Sequence, residues 1–193
     1  MIFQTNRLQI RPVDVKDAEA MFKYRSDPET NRFLSLIPKS SDDIYSFIKK
    51  TNPKINIPGS WFQFVIIETD SDQLIGDIGV HFLDDGSDNR QVEIGYTLDK
   101  DFRGKGYANE ALSKIIDYLF GQLKKHRITA SIDPKNTNSI KLIEKLGFRK
   151  EAHFIESLFF HGEWADDVIY ALLAKEWKDT SNSNSMLKAT KKN

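Results

Sequence analysis

The stretch EIGYTLDKDFRGKGYANEALSKIIDYLF, residues Glu93 to Phe120, decides the fold of this chain. It predicts a short strand, a tight loop with glycines at positions 104 and 106, and then an amphipathic helix. A helix N-terminus leaves amide donors without partners and carries the positive end of the peptide dipole, so it favours an anion. Glycine lets that backbone approach a ligand closely. The stretch therefore predicts a phosphate-binding loop, with Arg103 and Lys105 beside its amides.

Two common nucleotide-binding motifs do not fit this loop. The P-loop motif requires Ser or Thr directly after its Gly-Lys pair, whereas Lys105 is followed by Gly106. The dinucleotide motif requires a third glycine where this chain has Asn109. The loop therefore belongs to neither class.

Length and composition predict one soluble domain. The chain has 193 residues, of which 39% are hydrophobic, so it is long enough for one well-buried core. Its 28 basic and 28 acidic residues cancel, which argues against a nucleic-acid or membrane-surface partner. The chain contains no Cys, which excludes thiol nucleophiles and Cys-based zinc sites, and its four His show no metal-ligand spacing. The first residues, MIFQTNRLQIRP, lack a secretory signal, and no apolar run could span a bilayer, so we expect a cytoplasmic protein.

Hydrophobic periodicity predicts a mixed sheet with helices on both faces. Strands are expected at Leu8–Arg11, Trp61–Glu68, Gln73–Phe82, Gln91–Leu98, Arg127–Ile132, Phe148–Phe160 and Val168–Leu173. Helices are expected after Asp14 as far as Asp27-Pro28, over Ser41–Lys50, after the glycine loop, and over Asn138–Leu146. A turn is expected at His161-Gly162. The order indicates a single α/β (α+β) domain over residues 1–178 with a largely antiparallel sheet, followed by a disordered tail at 179–193.

The glycine loop resembles the acetyl-CoA loop of the GNAT superfamily of N-acetyltransferases. That loop has Arg or Gln, two residues, Gly, any residue, and then Gly or Ala, which Arg103, Gly106 and Ala108 match. A second segment, DPKNTNSIKLIEKLGFRKE, resembles the branch that acetylates the N-terminal alanine of ribosomal proteins. The matching residues there are Asn136, Asn138, Ser139 and Leu146-Gly147-Phe148. The opening TNRL and the closing HGEWADDVIYALLAKEW resemble the same branch, so the resemblance runs from Thr5 to Trp177.

The resemblance implies acetyl-CoA as cofactor and a site that holds it. The residues implied to bind it are Tyr96, Thr97, Leu98, Arg103, Gly104, Lys105, Gly106, Tyr107, Ala108, Asn136, Asn138 and Ser139, with no metal. The loop amides would clasp the pyrophosphate. The strand before the loop would end in a splayed gap where backbone groups pair with pantetheine. A homodimer is common in the resembled branch, so the resemblance implies a homodimer as well.

Glu93 is the candidate general base. Alternate side chains of a strand face opposite sides, so Glu93 shares a side with Gly95 and Thr97. Transfer to an amine requires a neutral nucleophile, so an ammonium ion must first lose a proton, and a partly buried carboxylate with a raised pKa suits that step. The resemblance also implies a base on this strand. The alternative is a surface Glu on a half-exposed strand.

Ser139 is the candidate general acid. The resemblance implies that its hydroxyl protonates the departing thiolate of coenzyme A, and that Asn138 bonds a pantetheine amide. The alternative is that both residues are simply helix N-caps, which are often Ser or Asn. Tyr96 and Tyr107 are alternative acids.

The acceptor site is expected between the first two helices and the late hairpin, over residues 25–48 and 154–167, with His81 and His153 as further candidates on the substrate side. Aromatic and acidic residues of that region include Trp61, Trp164, Asp166 and Asp167. We expect an acetyl-CoA-dependent N-acetyltransferase that acts directly on a primary amine, either a protein N-terminus or a small molecule. The alternative is a non-catalytic acyl-CoA-binding module with the same fold.

Overall fold

The computed structural model describes residues 1–34, 36–86, 88–160 and 162–177 of the chain. The strands are β1 Phe3–Gln4, β2 Leu8–Pro12, β3 Ser60–Glu68, β4 Gln73–Phe82, β5 Gln91–Leu98, β6 Arg127–Ile132, β7 Arg149–Phe160 and β8 Glu163–Leu173. The helices are α1 Ala18–Arg25, α2 Pro28–Asn31, α3 Ser41–Lys50, α4 Tyr107–Gly121 and α5 Thr137–Lys145. Within these described ranges, no helix is both long and apolar enough to cross a membrane.

The eight strands form one sheet in the order β1-β2-β3-β4-β5-β6-β8-β7. Strands β5 and β6 are parallel, and α4 lies in the connection between them. The other neighbouring pairs are antiparallel. The predicted mixed, largely antiparallel sheet is therefore confirmed.

Helices cover both faces of the sheet, and β3 shows how the sequence separates them. Its residues Phe64 and Ile66 belong to the main core, which also contains side chains from α4 and α5. The alternate residues Val65 and Ile67 pack with α1 and α3 in a second, smaller core. Because successive strand residues face opposite sides, one strand supplies both layers. The expected placement of helices on both faces is confirmed.

The Asp27-Pro28 pair ends the first helix, as predicted, and also begins a second. Helix α1 ends at Arg25, and Pro28 occupies the first position of α2. The carboxylate of Asp27 accepts the amide of Thr30 at 3.0 Å and so caps α2. Proline suits this position because the first amides of a helix have no intrahelical partner. The short helix α2 was not predicted.

Several boundaries differ from the predictions, most of them by one residue. Strand β8 begins at Glu163 rather than Val168, because the polar segment after Glu163 pairs with β7 without showing a hydrophobic alternation. Helix α5 begins at Thr137 rather than Asn138. Strand β1, with two residues, was not predicted. The expected turn at His161-Gly162 involves a residue outside the described ranges, and the expected tail at 179–193 lies outside them altogether.

Candidate active site

Strands β5 and β6 part in the middle of the sheet. Their pairing is limited to Gln91 with Arg127, Val92 with Ile128, and Glu93 with Thr129. Beyond these pairs β5 runs on to Leu98 and β6 to Ile132. The gap expected at the end of the Glu93 strand is therefore present, and it begins directly after Glu93.

Hydrogen bonds at the two ends of β5 show which of its backbone groups face this gap. The amide of Asp99 donates to the carbonyl of Ile75 beside β4 at 2.8 Å. The carbonyl of Val92 accepts the Thr129 hydroxyl of β6 at 3.3 Å. Backbone groups alternate in direction along a strand, so the even-numbered residues of β5 face β6 and the odd-numbered residues face β4.

This alternation separates the three strand residues that were expected to bind the cofactor. The backbone groups of Tyr96 and Leu98 are directed towards the gap, and the Leu98 carbonyl accepts Nε of Arg103 at 3.2 Å. The backbone of Thr97 is directed towards β4, and its side chain is buried. The gap therefore offers backbone hydrogen-bonding groups of Tyr96 and Leu98.

The glycine loop leads directly into α4. Gly104 and Gly106 have φ angles of 73° and 85°, in the left-handed region that favours glycine. Gly106 is the N-cap of α4, and the first intrahelical bond runs from the Glu110 amide to the Gly106 carbonyl at 3.1 Å. Among the described residues, no backbone acceptor is assigned to the amides of residues 104–109. The predicted cluster of amides at a helix N-terminus is therefore present.

The two basic side chains of the loop have protein partners. Arg103 donates to the Thr30 hydroxyl at 2.9 Å and forms an ion pair with Glu29 at 3.3 Å, both on α2. Lys105 donates to the carbonyl of Asp101 at 2.8 Å. These contacts account for the position of the basic pair without a bound anion. The feature of this loop that suits an anion is therefore its cluster of amides.

The N-terminal segment holds the loop and the first turn of α4. The Thr5 hydroxyl donates to Glu110 at 2.6 Å, and Nε of Arg7 donates to the other oxygen of that carboxylate at 2.8 Å. Arg7 also donates to the Lys105 carbonyl at 3.0 Å, and its guanidinium lies 4.3 Å from the ring centroid of Tyr107. This role of Thr5 and Arg7 in the TNRL segment was not predicted from the sequence.

Tyr96 and Ser139, two candidate acids, form one hydroxyl pair. Their oxygens lie 2.5 Å apart, and either atom can be the donor. Burial raises the pKa of Tyr96 to about 12, so its phenol remains protonated at neutral pH. Asn136 caps α5 by accepting the Ser139 amide at 3.2 Å, whereas the side chain of Asn138 is exposed. The cap is therefore Asn136 rather than Ser139 or Asn138.

Glu93 lies on the opposite face of β5 from Tyr96, in a row of side chains that crosses the sheet. Trp61, His81 and Glu93 pair successively on β3, β4 and β5. The rings of Trp61 and His81 stack with centroids 4.8 Å apart. Burial raises the pKa of Glu93, the charge of His81 lowers it, and the charge of Asp167 raises it, with a net upward shift. A carboxylate with a raised pKa suits a general base.

A hollow lies beside Glu93 over Gly95, whereas the space over the paired Gly79 is filled by the side chains of Gln63 and Trp61. Gly79 on β4 lies opposite Gly95 on β5. A methyl group placed on Gly95 would meet no atom within 4 Å, so space is open above it. The hollow has room for a small group next to the carboxylate of Glu93.

With this geometry established, comparison with known proteins identifies the family. The model of the acetyltransferase (GNAT) domain matches residues 7–149. The chain belongs to the GNAT acetyltransferases. The uncharacterized N-acetyltransferase p20 of Bacillus licheniformis is 34% identical over 174 residues, which cover 90% of this chain and 96% of that protein. The ribosomal protein uS5-alanine N-acetyltransferase of Escherichia coli is 29% identical over 179 residues, covering 90% and 91% of the two chains.

A solved GNAT structure has the same fold. The acetyltransferase from Bacillus anthracis superposes with a TM-score of 0.80 and 31% identity, covering 91% of this chain and all of that one. The resemblance noted in the sequence is therefore confirmed at the level of the family. The chain is an acetyltransferase.

The residues of the late hairpin that were expected on the acceptor side lie in two separate places. Asp167 is buried and accepts the Ser131 hydroxyl at 2.7 Å, on the same sheet face as Glu93. Phe159 and Trp164 pack edge to face at the exposed end of the hairpin. His153 bonds Asp166 at 2.8 Å. Asp167 is thus brought towards Glu93, whereas Phe159 and Trp164 lie at the hairpin's exposed end.

Proposed function

We propose that this acetyltransferase uses acetyl-CoA and transfers its acetyl group directly to a primary amine in a ternary complex. One observation carries the proposal. Glu93 lies on one face of β5, and the Tyr96–Ser139 hydroxyl pair lies on the other, at the point where β5 parts from β6. A base and an acid therefore flank an opening through the sheet.

The donor would bind along the opening and the glycine loop. The amides of residues 104–109 would hold the pyrophosphate, because a helix N-terminus with unpaired amides favours an anion. Backbone groups of Tyr96 and Leu98 would pair with the pantetheine amides in the gap. Asn136 and Asn138 lie at the start of α5, beside Ser139. When bound, acetyl-CoA supplies an acetyl group activated as a thioester.

The transfer requires the amine nitrogen to lose two protons and the departing sulfur to gain one. Glu93 would take a proton from the ammonium group, directly or through water, so that the amine nitrogen can bond to the acetyl carbon. The Tyr96 amide would donate to the carbonyl oxygen as negative charge develops there. As the carbon–sulfur bond breaks, the Tyr96–Ser139 pair would donate a proton to the departing sulfur. The second proton of the nitrogen would pass to water, and the hydroxyl pair would regain its proton from water. The absence of Cys from the sequence excludes an acyl-cysteine step and favours direct transfer.

The proposed acceptor is a peptide N-terminus or a small primary amine. The Escherichia coli relative is named a ribosomal protein uS5-alanine N-acetyltransferase, which supports a peptide as the first candidate. Two acidic groups, Glu93 and Asp167, lie on the same sheet face, which suits a cationic amine, including a polyamine.

A transfer assay with two acceptors tests the proposal. The protein is incubated with acetyl-CoA and either a peptide with a free N-terminal alanine or spermidine, and both thiol release and product mass are followed. We expect acetylation of at least one acceptor. Glu93→Gln should lower turnover by about 10²–10⁴-fold, the usual effect of removing a general base. The matched control is Glu19→Gln, at an exposed position on α1. Binding of acetyl-CoA without transfer to either acceptor would instead support an acyl-CoA-sensing module.

A further inference from the structure

Gln63 is a buried polar residue beside the hollow. The proposed mechanism gives this residue no role. Gln63 lies on β3 directly opposite Gly79, and only 4% of it is exposed. Its side-chain nitrogen, Nε2, donates to Asp77 at 2.6 Å. Gly79 in turn lies opposite Gly95, so the side chain of Gln63 borders the glycine floor of the hollow.

Asp77 determines which way the carboxamide of Gln63 points. Its carboxylate also accepts the Tyr24 hydroxyl at 2.5 Å and two nitrogens of Arg25, at 3.0 Å and 2.5 Å. A carboxylate in an ion pair with arginine accepts hydrogen bonds and donates none. The NH₂ group of Gln63 must therefore face Asp77, and its oxygen, Oε1, must face the other way.

The oxygen of Gln63 is directed over Gly79, and no donor to it is found among the described residues. Oε1 lies 3.0 Å from the position that a Cβ atom on Gly79 would occupy, next to the ring of Trp61. Within the described ranges, Gln63 makes one side-chain hydrogen bond, the bond from Nε2 to Asp77. A buried carbonyl oxygen without a donor is unfavourable, and such groups in native proteins are normally satisfied by water or by a ligand. The hollow is the open space from which a donor could approach.

We propose that Oε1 of Gln63 accepts an N–H of the acceptor amine and thereby positions its nitrogen for transfer. This inference rests on the proposed function and names a positioning residue for it. After Glu93 has taken one proton, a primary amine retains two N–H groups and a lone pair. One N–H directed at Gln63 fixes the rotation of the amine about its C–N bond, which leaves the lone pair free to reach the acetyl carbon. The open space over Gly95, next to the Gln63 oxygen above Gly79, provides the room for this approach.

Steady-state kinetics of Gln63→Met with saturating acetyl-CoA tests the proposal. Methionine has a similar length and volume but no carbonyl oxygen. The acceptors are the alanine-terminated peptide and spermidine. We expect the KM for the amine to rise about tenfold, the usual effect of losing a hydrogen bond to a charged or polarised group. The dissociation constant for acetyl-CoA should remain unchanged, because Gln63 lies on the opposite side of the sheet from α4 and α5. Gln63→Leu serves as a second variant if the first folds poorly.

Tyr24→Phe is the control for a merely structural role. It removes another donor from the same carboxylate, at 2.5 Å, without touching the glycine floor. It should lower the melting temperature and leave the KM for the amine unchanged. An unchanged KM in both Gln63 variants, or an equal rise in Tyr24→Phe, would overturn the inference while acetyl transfer by the unmodified chain still stands. If the unmodified chain acetylates neither amine, the proposed function fails, and this inference fails with it.

Discussion

The hydroxyl oxygens of Tyr96 and Ser139 lie 2.5 Å apart, although 43 positions separate the two residues in the sequence. Tyr96 is on β5, and Ser139 is in the first turn of α5, so the contact joins the strand at the gap to the helix beside it. The two hydroxyl groups can share one proton. They therefore form a single candidate acid rather than two competing ones.

The shared proton predicts non-additive effects of mutation. Tyr96→Phe and Ser139→Ala should each lower kcat and leave acetyl-CoA affinity nearly unchanged. The double variant should have a kcat only slightly lower than that of the more impaired single variant, because either substitution alone already disables residues that act as a unit. Single-turnover measurement of thiol release checks this. Effects that multiply in the double variant would show that the two hydroxyls act independently.

The charges around Glu93 predict opposite shifts in the pH profile. A carboxylate base is active when deprotonated, so kcat/KM should fall as the pH drops through its raised pKa. Asp167→Asn removes a nearby negative charge, which should lower the pKa of Glu93 and move this limb to lower pH. His81→Asn removes a positive charge and should move the limb to higher pH. Both variants moving the limb in the same direction would contradict the assignment of Glu93 as base.

Replacement of Arg7 should lower the affinity for acetyl-CoA, although Arg7 is not among the residues proposed to contact the cofactor. Arg7→Met removes the bonds to Glu110 and to the Lys105 carbonyl that hold the glycine loop. We expect acetyl-CoA to bind several-fold more weakly, since the loop must then be ordered on binding. The control is Arg149→Met, because Arg149 is similarly exposed, 44% against 41%, and also forms ion pairs. Equal loss of affinity in both variants would indicate a general electrostatic effect instead.

The burial of Lys125 predicts that the free energy of unfolding depends on pH in alkaline solution. Its ammonium group donates to Asn89 and lies 4.8 Å from the centroid of the Phe82 ring, and burial lowers its pKa to about 8 from 10.5. The unfolded chain therefore binds more protons than the folded chain between these two values. The free energy of unfolding should rise with pH across that window, by at most about 1.4 kcal/mol per pH unit from this group.

Chemical denaturation at a series of pH values measures that slope. Lys125→Met should remove the contribution, whereas Lys124→Met, at the exposed neighbouring position, should retain it. An identical slope in the unmodified chain and in Lys125→Met would exclude Lys125 as its source.

Much of the central fold is predictable from local patterns. Between Glu93 and Phe120 the hydrophobic period changes from two to 3.6 residues across two glycines, and the strand, loop and helix follow that change. The bounds of β4, β5, β6 and α3 agree with the predictions for the same reason. Strand β8 was predicted too short because its first residues carry no apolar alternation.

The contacts that shape the site depend on strand register and helix packing, which local patterns do not specify. The pairing of Gln63 with Gly79, and the bond from Gln63 to Asp77, require knowledge of how β3 lies against β4. The partners of Arg103 lie on α2, a helix that was not predicted. For this reason the sequence did not predict that Arg103 binds Thr30 and Glu29.

Calorimetric titration of acetyl-CoA, with adenosine diphosphate as a control ligand, tests the central claim most directly. It is performed on the unmodified chain, Gly106→Trp and Gly86→Trp. The two glycines have similar φ angles of +85° and +76°, so the backbone strain of substitution is matched, but Gly86 lies outside the proposed site. The account predicts micromolar or tighter binding of acetyl-CoA to the unmodified chain and to Gly86→Trp, and none to Gly106→Trp. No binding to the unmodified chain, or equal binding to both variants, would contradict it.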